Sequence, residues 1–237
     1  MAEKNPGLPA ALSTEREISD FLAQVAQVAA APAGATRGRL IFALDATASR
    51  QPTWDRAAAL QGEMFLAAAS LGGLEIQPCF YRGFGEFKAG PWFRESDALL
   101  RLMSTVTCRA GHTQIAKVLQ HAINMTRQQR VAALVFVGDC CEEDVDGLCA
   151  LAGQLGLLGT RAFVFHEGSN AVAASAMREI ARLANGVYCR FDSGSADALR
   201  DLLRAVAAYA AGGLPALQAM QSQSEHVKLI ARQLLGH

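Results

Sequence analysis

The chain has 237 residues, 51% of them hydrophobic, enough for one core burying roughly 70–75% of the unfolded surface. Lys plus Arg and Asp plus Glu number 22 each, so the formal net charge is zero. That balance removes the broad electrostatic attraction that draws proteins to nucleic acid or to anionic membranes. Met1-Ala-Glu-Lys-Asn-Pro6 lacks a basic stretch followed by an apolar core, and no uncharged apolar run reaches about 18 residues. The six cysteines show neither CxxC nor Cys/His zinc spacing. The expectation is a cytoplasmic protein with reduced thiols and neither nucleic acid nor membrane as partner.

In chain order, Thr14-Glu-Arg-Glu17 has capping-box spacing ahead of Ile18, Phe21, Leu22, Val25 and Val28. This predicts an amphipathic helix over about 14–30, and Ala31–Thr36 reads as a linker. A strand follows at 39–45, then a helix from about Thr53 to Leu71 stopped by Gly72-Gly73. The next strand, 74–81, contains Pro78, which argues for an interruption or an edge. Residues 82–92 are rich in Gly and aromatics and read as a short edge strand or loop. Helices are expected at 96–107 and 113–127. Val131-Ala-Ala-Leu-Val-Phe-Val137 is a continuous apolar run, as expected of a central parallel strand covered on both faces. A helix near 143–157, a strand at 160–166, a helix at 171–185, a strand at 187–191 and a helix at 196–210 complete the alternation. Gly212-Gly213-Leu-Pro215 breaks it before a last helix. The division is therefore an N-terminal helix and linker (1–37), a main domain (38–211) and a helical extension (212–237). Alternating strands and helices imply an α/β, three-layer, doubly wound, mostly parallel sheet, whose binding crevice lies at the carboxyl ends of the strands.

Two carboxylates fall at such ends. Arg39-Leu-Ile-Phe-Ala-Leu-Asp45 ends in an acid, and Thr47 and Ser49 follow at alternate positions. Gly111-His112-Thr113 opens a helix, and Val135-Phe-Val-Gly-Asp139 closes another strand. Oxygen donors alone suit a hard cation such as Mg²⁺ or Mn²⁺. Taken singly, each residue equally suits a turn or a helix cap.

Together, Asp45-Ala-Thr47-Ala-Ser49, Gly111-His112-Thr113-Gln114-Ile115 and Asp139 resemble the von Willebrand factor A (VWA) domains, the family that includes integrin I domains. The hallmark of that family is the metal-ion-dependent adhesion site. Thr47 stands where Ser is commoner, and Cys140 where Gly is usual after the acid. The resemblance covers about 39–210 and implies a Mg²⁺ (or Mn²⁺) site built from Asp45, Thr47, Ser49, Thr113 and Asp139. In it, hydroxyls bind the ion directly or nearly so, and one or both carboxylates act through water. It further implies a non-enzymatic interaction module, in which a protein partner supplies an Asp or Glu carboxylate to the metal. Small bacterial relatives of this type act with AAA+ ATPases or in larger assemblies.

Other features are weaker. His112 lies beside the site as a loop residue or as a pH-responsive contact. Cys140-Cys141 near a helix start are small semi-buried residues, or thiols of lowered pKa. Glu142-Glu143-Asp144-Asp146 complements the dipole of the helix it begins, with a second metal or a basic partner as the sharper reading. Phe80, Tyr81, Phe84, Phe87, Trp92 and Phe93 cluster with Arg82, Lys88 and Arg94, in core and loop packing or as an interface; Trp54 is similarly ambiguous. A phosphatase of the haloacid-dehalogenase type needs Asp-x-Asp; here Thr47, a poor proton donor, holds the second position. A metal-free structural subunit on the same fold is the remaining alternative.

Overall fold

The computed structural model describes residues 38–51, 74–191, 204–207 and 209–210. The helices expected at 14–30 and 53–71, the final helix, Trp54 and the two terminal segments lie outside the described residues. The elements are β1 (Gly38–Asp45), β2 (Leu74–Arg82), β3 (Glu86–Ala89), α1 (Ser96–Met103), α2 (Ile115–Gln128), β4 (Ala133–Gly138), α3 (Val145–Leu157), β5 (Arg161–Glu167), α4 (Ala171–Leu183) and β6 (Val187–Phe191). Residues 204–207 and 209–210 are helical as well, within the helix expected at 196–210.

The described strands form one sheet in the order β3-β2-β1-β4-β5-β6. All pairings are parallel except the β2–β3 hairpin. From β1 the chain moves outward to β2 and β3, then returns to place β4 on the other side of β1, with β5 and β6 beyond. The winding direction therefore reverses between β1 and β4, and ligands of such sheets bind at that switch point.

Strand side chains alternate between the two faces, and both faces are covered. Leu40, Phe42, Leu44, Val135, Val137, Phe163 and Phe165 pack with Leu99 and Met103 of α1 and with Val206 and Tyr209. Ile41, Ala43, Leu134, Phe136 and Val164 pack on the opposite face against Val118 and Leu119 of α2, Leu148 and Leu155 of α3, and Met177 and Ile180 of α4. Residues 40–44 are completely buried. That accounts for the unbroken apolar runs of β1 and β4, each large side chain contributing about 1.5–3 kcal/mol.

Pro78 does not interrupt β2, which is an interior strand paired on both sides. Its carbonyl accepts from Gly90 N at 2.8 Å, just past the end of β3. The ladder resumes at Ile76, which exchanges both backbone bonds with Phe93. The missing N–H thus falls where the partner strand is broken, and β3 is the edge. Helix α1 stops at Met103 instead of 107: Ser104 Oγ and Thr105 Oγ1 bond back to the carbonyls of Arg101 and Leu102, closing the helix with a tight turn.

Candidate functional site

The site is built outward from the end of β1. Leu44 is in register with Val137 of β4, so Asp45 and Gly138 end their strands side by side. A Cβ on Gly138 would sit 3.5 Å from Asp45 Cβ. Asp45 is completely buried. Its Oδ1 accepts from Thr47 N at 2.8 Å, an Asx-type turn that lifts the chain off the strand. Its Oδ2 accepts from the Tyr81 hydroxyl at 2.9 Å, and Tyr81 is Asp45's register partner in β2. A short 3₁₀ turn, Ala48–Arg50, follows, and places Thr47 Oγ1 3.0 Å from Ser49 Oγ.

Beneath this turn, Arg50 is completely enclosed. Its Nε donates to Glu167 Oε2 at 3.0 Å, its Nη2 lies 2.8 Å from the same oxygen, and its Nη1 donates to the Val137 carbonyl at 3.2 Å. One guanidinium thus ties the turn to the ends of β4 and β5.

The Thr113 loop arrives beside the same rim. Arg109 N donates to the Ala46 carbonyl at 3.0 Å, and Thr47 and Arg109 form a parallel bridge. Gly111 lies against Gly83 so closely that a Cβ would come 2.0 Å from the Gly83 carbonyl oxygen. Gln114 Nε2 donates to the carbonyls of Arg82 and Gly83. Thr113 and Glu142 bond reciprocally: Thr113 N donates to Glu142 Oε2 at 3.1 Å, and Glu142 N donates to Thr113 Oγ1 at 3.0 Å. Glu143 accepts from the Ile115 and Ala116 amides at the start of α2.

These contacts correct two sequence expectations. Thr113 does not cap α2; its hydroxyl accepts from the loop after β4. The acidic run does not serve one helix either. Glu142 and Glu143 receive the amides of residues 113, 115 and 116, and Asp144 caps α3, accepting from Gly147 N at 2.8 Å. The run therefore staples the loop after β4 to the Thr113 loop.

Asp139 follows Gly138 on this staple. Its Oδ1 is buried and has no hydrogen-bond partner among the described residues. Asp45, Thr47 and Ser49 are thus joined by direct bonds, while Asp139 adjoins Asp45 through the β1–β4 register and Thr113 is joined to the Asp139 loop through Glu142. Among the described residues no three His, Cys, Asp or Glu side chains gather as a metal cluster; the donors at this rim are two carboxylates and three hydroxyls.

Burial pushes the Asp45 carboxyl above its ordinary value and the charge of Asp139 adds to this, while the bonds from Thr47 and Tyr81 pull it down. A carboxyl raised in the folded state is held protonated longer than in the unfolded chain. Its contribution to stability is full below the unfolded value, about pH 4, and is lost as pH rises through that value to the folded one. Denaturant unfolding in EDTA is expected to show this loss in the wild type and not in Asp45→Asn; parallel profiles would contradict it. Tyr81→Phe removes a buried bond to the same carboxylate and is expected to cost about 1.5–3 kcal/mol at neutral pH in urea unfolding.

Tyr81, Arg50, Glu167 and Glu142 are the supporting residues that motif spacing did not single out for these roles. Tyr81 was detectable in principle, because Cys79 and Tyr81 alternate onto the Asp45 side of β2. Arg50 and Glu167 are 117 residues apart, and no local pattern connects them. Cys140 and Cys141 are both raised by burial, with neighbouring carboxylates adding to the effect, so the helix start does not activate them. No disulfide forms among the six cysteines. Among the described residues, no helix is long and apolar enough to cross a membrane.

No protein-family model matches this sequence, and no curated protein matches it significantly. Solved structures do. The VWA domain of SpRpn10 is similar at a TM-score of 0.58 and 13% identity, over 71% of this chain and 94% of that one. A von Willebrand factor type A protein from Catenulispora acidiphila is similar at 0.60 and 14%, over 74% of this chain and 43% of that one. The pilus adhesin SpaC from Lactobacillus rhamnosus GG is similar at 0.57 and 9%, over 76% and 31%. The matched region thus spans nearly all of the first and less than half of the other two. The chain has the fold of these VWA domains.

Proposed function

We propose that this chain is a non-enzymatic, divalent-metal-dependent interaction module. Asp45, Thr47, Ser49, Thr113 and Asp139 hold Mg²⁺ or Mn²⁺, and a partner protein completes the site with an Asp or Glu carboxylate. The observation that carries this reading is the buried Oδ1 of Asp139, without a hydrogen-bond partner among the described residues, beside the fully buried Asp45 at the switch point of the sheet. Two acids sharing a low-dielectric pocket repel each other and lose hydration, and a cation offsets both costs. The donors present fit that group: all are oxygens, and three are neutral, which suits a hard ion that keeps several waters.

The division of labour follows from the contacts. The Thr47 amide and Tyr81 hydroxyl fix the plane of the Asp45 carboxylate. The Thr47–Ser49 contact presents two hydroxyls together, and Glu142 fixes the Thr113 hydroxyl from behind. Few direct carboxylates leave the ion electrophilic, and that is the chemistry it supplies: an open position for a partner's acid. The burial of Asp45 also weighs against catalysis, because a nucleophile needs access to substrate and Thr47 cannot serve as its general acid. The resemblance carries an AAA+ ATPase forward as one partner class.

The test is thermal unfolding in EDTA against a Mg²⁺ series. Binding to the folded state alone raises stability by about 2.7 kcal/mol at a hundredfold excess over Kd. The gain is expected in the wild type and not in Asp45→Ala. Equal melting in EDTA and at millimolar Mg²⁺ would move the chain to the metal-free structural reading.

A further inference from the structure

The hairpin between β2 and β3 carries an exposed aromatic ring directly beside the Thr113 loop. Phe84 is 81% exposed, at the tip of a turn whose flanking residues are Gly83 at φ +61° and Gly85 at φ +122°. Both conformations favour glycine, so the turn is built to hold this one side chain outward. The tip is also rigid. Gly83 packs against Gly111, Gln114 bonds to Arg82 and Gly83, and Lys117 Nζ donates to the Gly85 carbonyl at 2.7 Å. The Phe84 ring lies edge-on to His112, centroids 5.2 Å apart, and His112 immediately precedes Thr113. The other aromatics of this segment are partly or wholly covered by the core.

Exposed cations surround the tip. The side chains of Lys88 and Arg109 are 61% and 62% exposed, and Lys117 is exposed too. Two acids lie nearby: Glu86, which pairs with Arg82, Lys88 and Arg109 and whose carboxyl Arg82 and Lys88 hold down at about 2, and Glu142, 3.3 Å from His112 Nδ1. Arg82, Lys88, Arg109 and Lys117 outnumber these acids, so the hairpin side of the rim presents one rigid ring within a border of net positive charge.

We propose that Phe84 and His112 form a second contact point for the partner, which binds through an acidic peptide segment carrying an apolar residue next to its metal-bound carboxylate. The apolar residue packs on Phe84 and His112, and further acids face Lys88, Arg109 and Lys117. This inference rests on the metal-site reading above. A preformed aromatic in a charged rim is the arrangement that concentrates binding energy, because no ordering of the ring is required on association.

The experiment is selection from a phage-displayed library of random peptides of about twelve residues in Mg²⁺. Recovered peptides are then measured by fluorescence anisotropy on the wild type, Phe84→Ser and Asp45→Ala, with circular dichroism to confirm folding. Enrichment of sequences pairing an Asp or Glu with a large apolar neighbour, binding about tenfold weaker to Phe84→Ser, supports the proposal. Peptides that need Mg²⁺ and Asp45 but bind Phe84→Ser equally well overturn it and leave the metal site standing. Peptides that need Phe84 but ignore EDTA and Asp45→Ala overturn the metal reading and the adjacency proposed here, leaving only a docking ring. Recovery of no Phe84-dependent peptide, or a wild-type dimer lost in Phe84→Ser, overturns the peptide partner, the dimer in favour of a second copy.

Discussion

Arg50→Met is expected to destabilise the fold by about 3–5 kcal/mol, measured by urea unfolding at pH 7. The reason is the enclosure of the Arg50–Glu167 pair, whose side chains are 0% and 10% exposed. Removing the guanidinium leaves Glu167 charged where water barely reaches, and strands the Val137 carbonyl that Arg50 Nη1 satisfied. Glu167→Gln is expected to fall in the same range, because it leaves a buried cation instead. The double variant Arg50→Met with Glu167→Leu is expected to recover most of the loss, since apolar side chains of similar volume often replace a buried ion pair at little cost. Additive losses in the double variant would show that the two residues act separately, and that the turn after Asp45 is held by something other than this pair.

Gly111→Ala is the second large effect. A Cβ there would come 2.0, 2.3 and 2.5 Å from the oxygen, carbonyl carbon and Cα of Gly83. These are backbone atoms and cannot rotate away, so either the hairpin or the Thr113 loop must move. The expected cost is about 3 kcal/mol or more, together with weakened Mg²⁺ binding as Thr113 shifts. Gly153→Ala is the matched control: it lies in α3 with nothing within 4 Å of the added carbon, and is expected to gain about 0.5–1 kcal/mol from helix propensity. Equal, small effects of the two substitutions would contradict the close approach at Gly111.

The fold was legible wherever one physical signal dominated. The runs at 40–44 and 131–137 are apolar without alternation, as strands covered on both faces require, and they became the paired centre of the sheet. Helix α4 and β6 fall where periodicity placed them, with Asn170 capping the helix through the Val172 and Ala173 amides. Pro78 misled because the rule against proline in a ladder concerns one missing donor on one side, and the break in β3 was not visible from β2 alone. The five oxygen-bearing residues were legible as a motif because three of them lie within five residues, Asp139 follows an apolar strand and Thr113 comes just ahead of a helix. What holds them was not. Glu142 and Glu143 look like ordinary first-turn acids until the loop folds back, and Tyr81 looks like one more aromatic until the β1–β2 register sets it against Asp45. Such contacts are fixed by tertiary approach, and local spacing carries no record of it.

The most direct measurement is a calorimetric titration of Mg²⁺, then Mn²⁺, into metal-stripped protein, run alongside Asp45→Ala and Thr113→Ala. Saturable binding of one ion to the wild type is expected, lost in Asp45→Ala and lost or strongly weakened in Thr113→Ala, with both variants folded by circular dichroism. Binding that survives in both variants would place the ion elsewhere. No heat and no thermal stabilisation in the wild type at millimolar metal would contradict the metal site, and would leave the VWA fold as a metal-free scaffold.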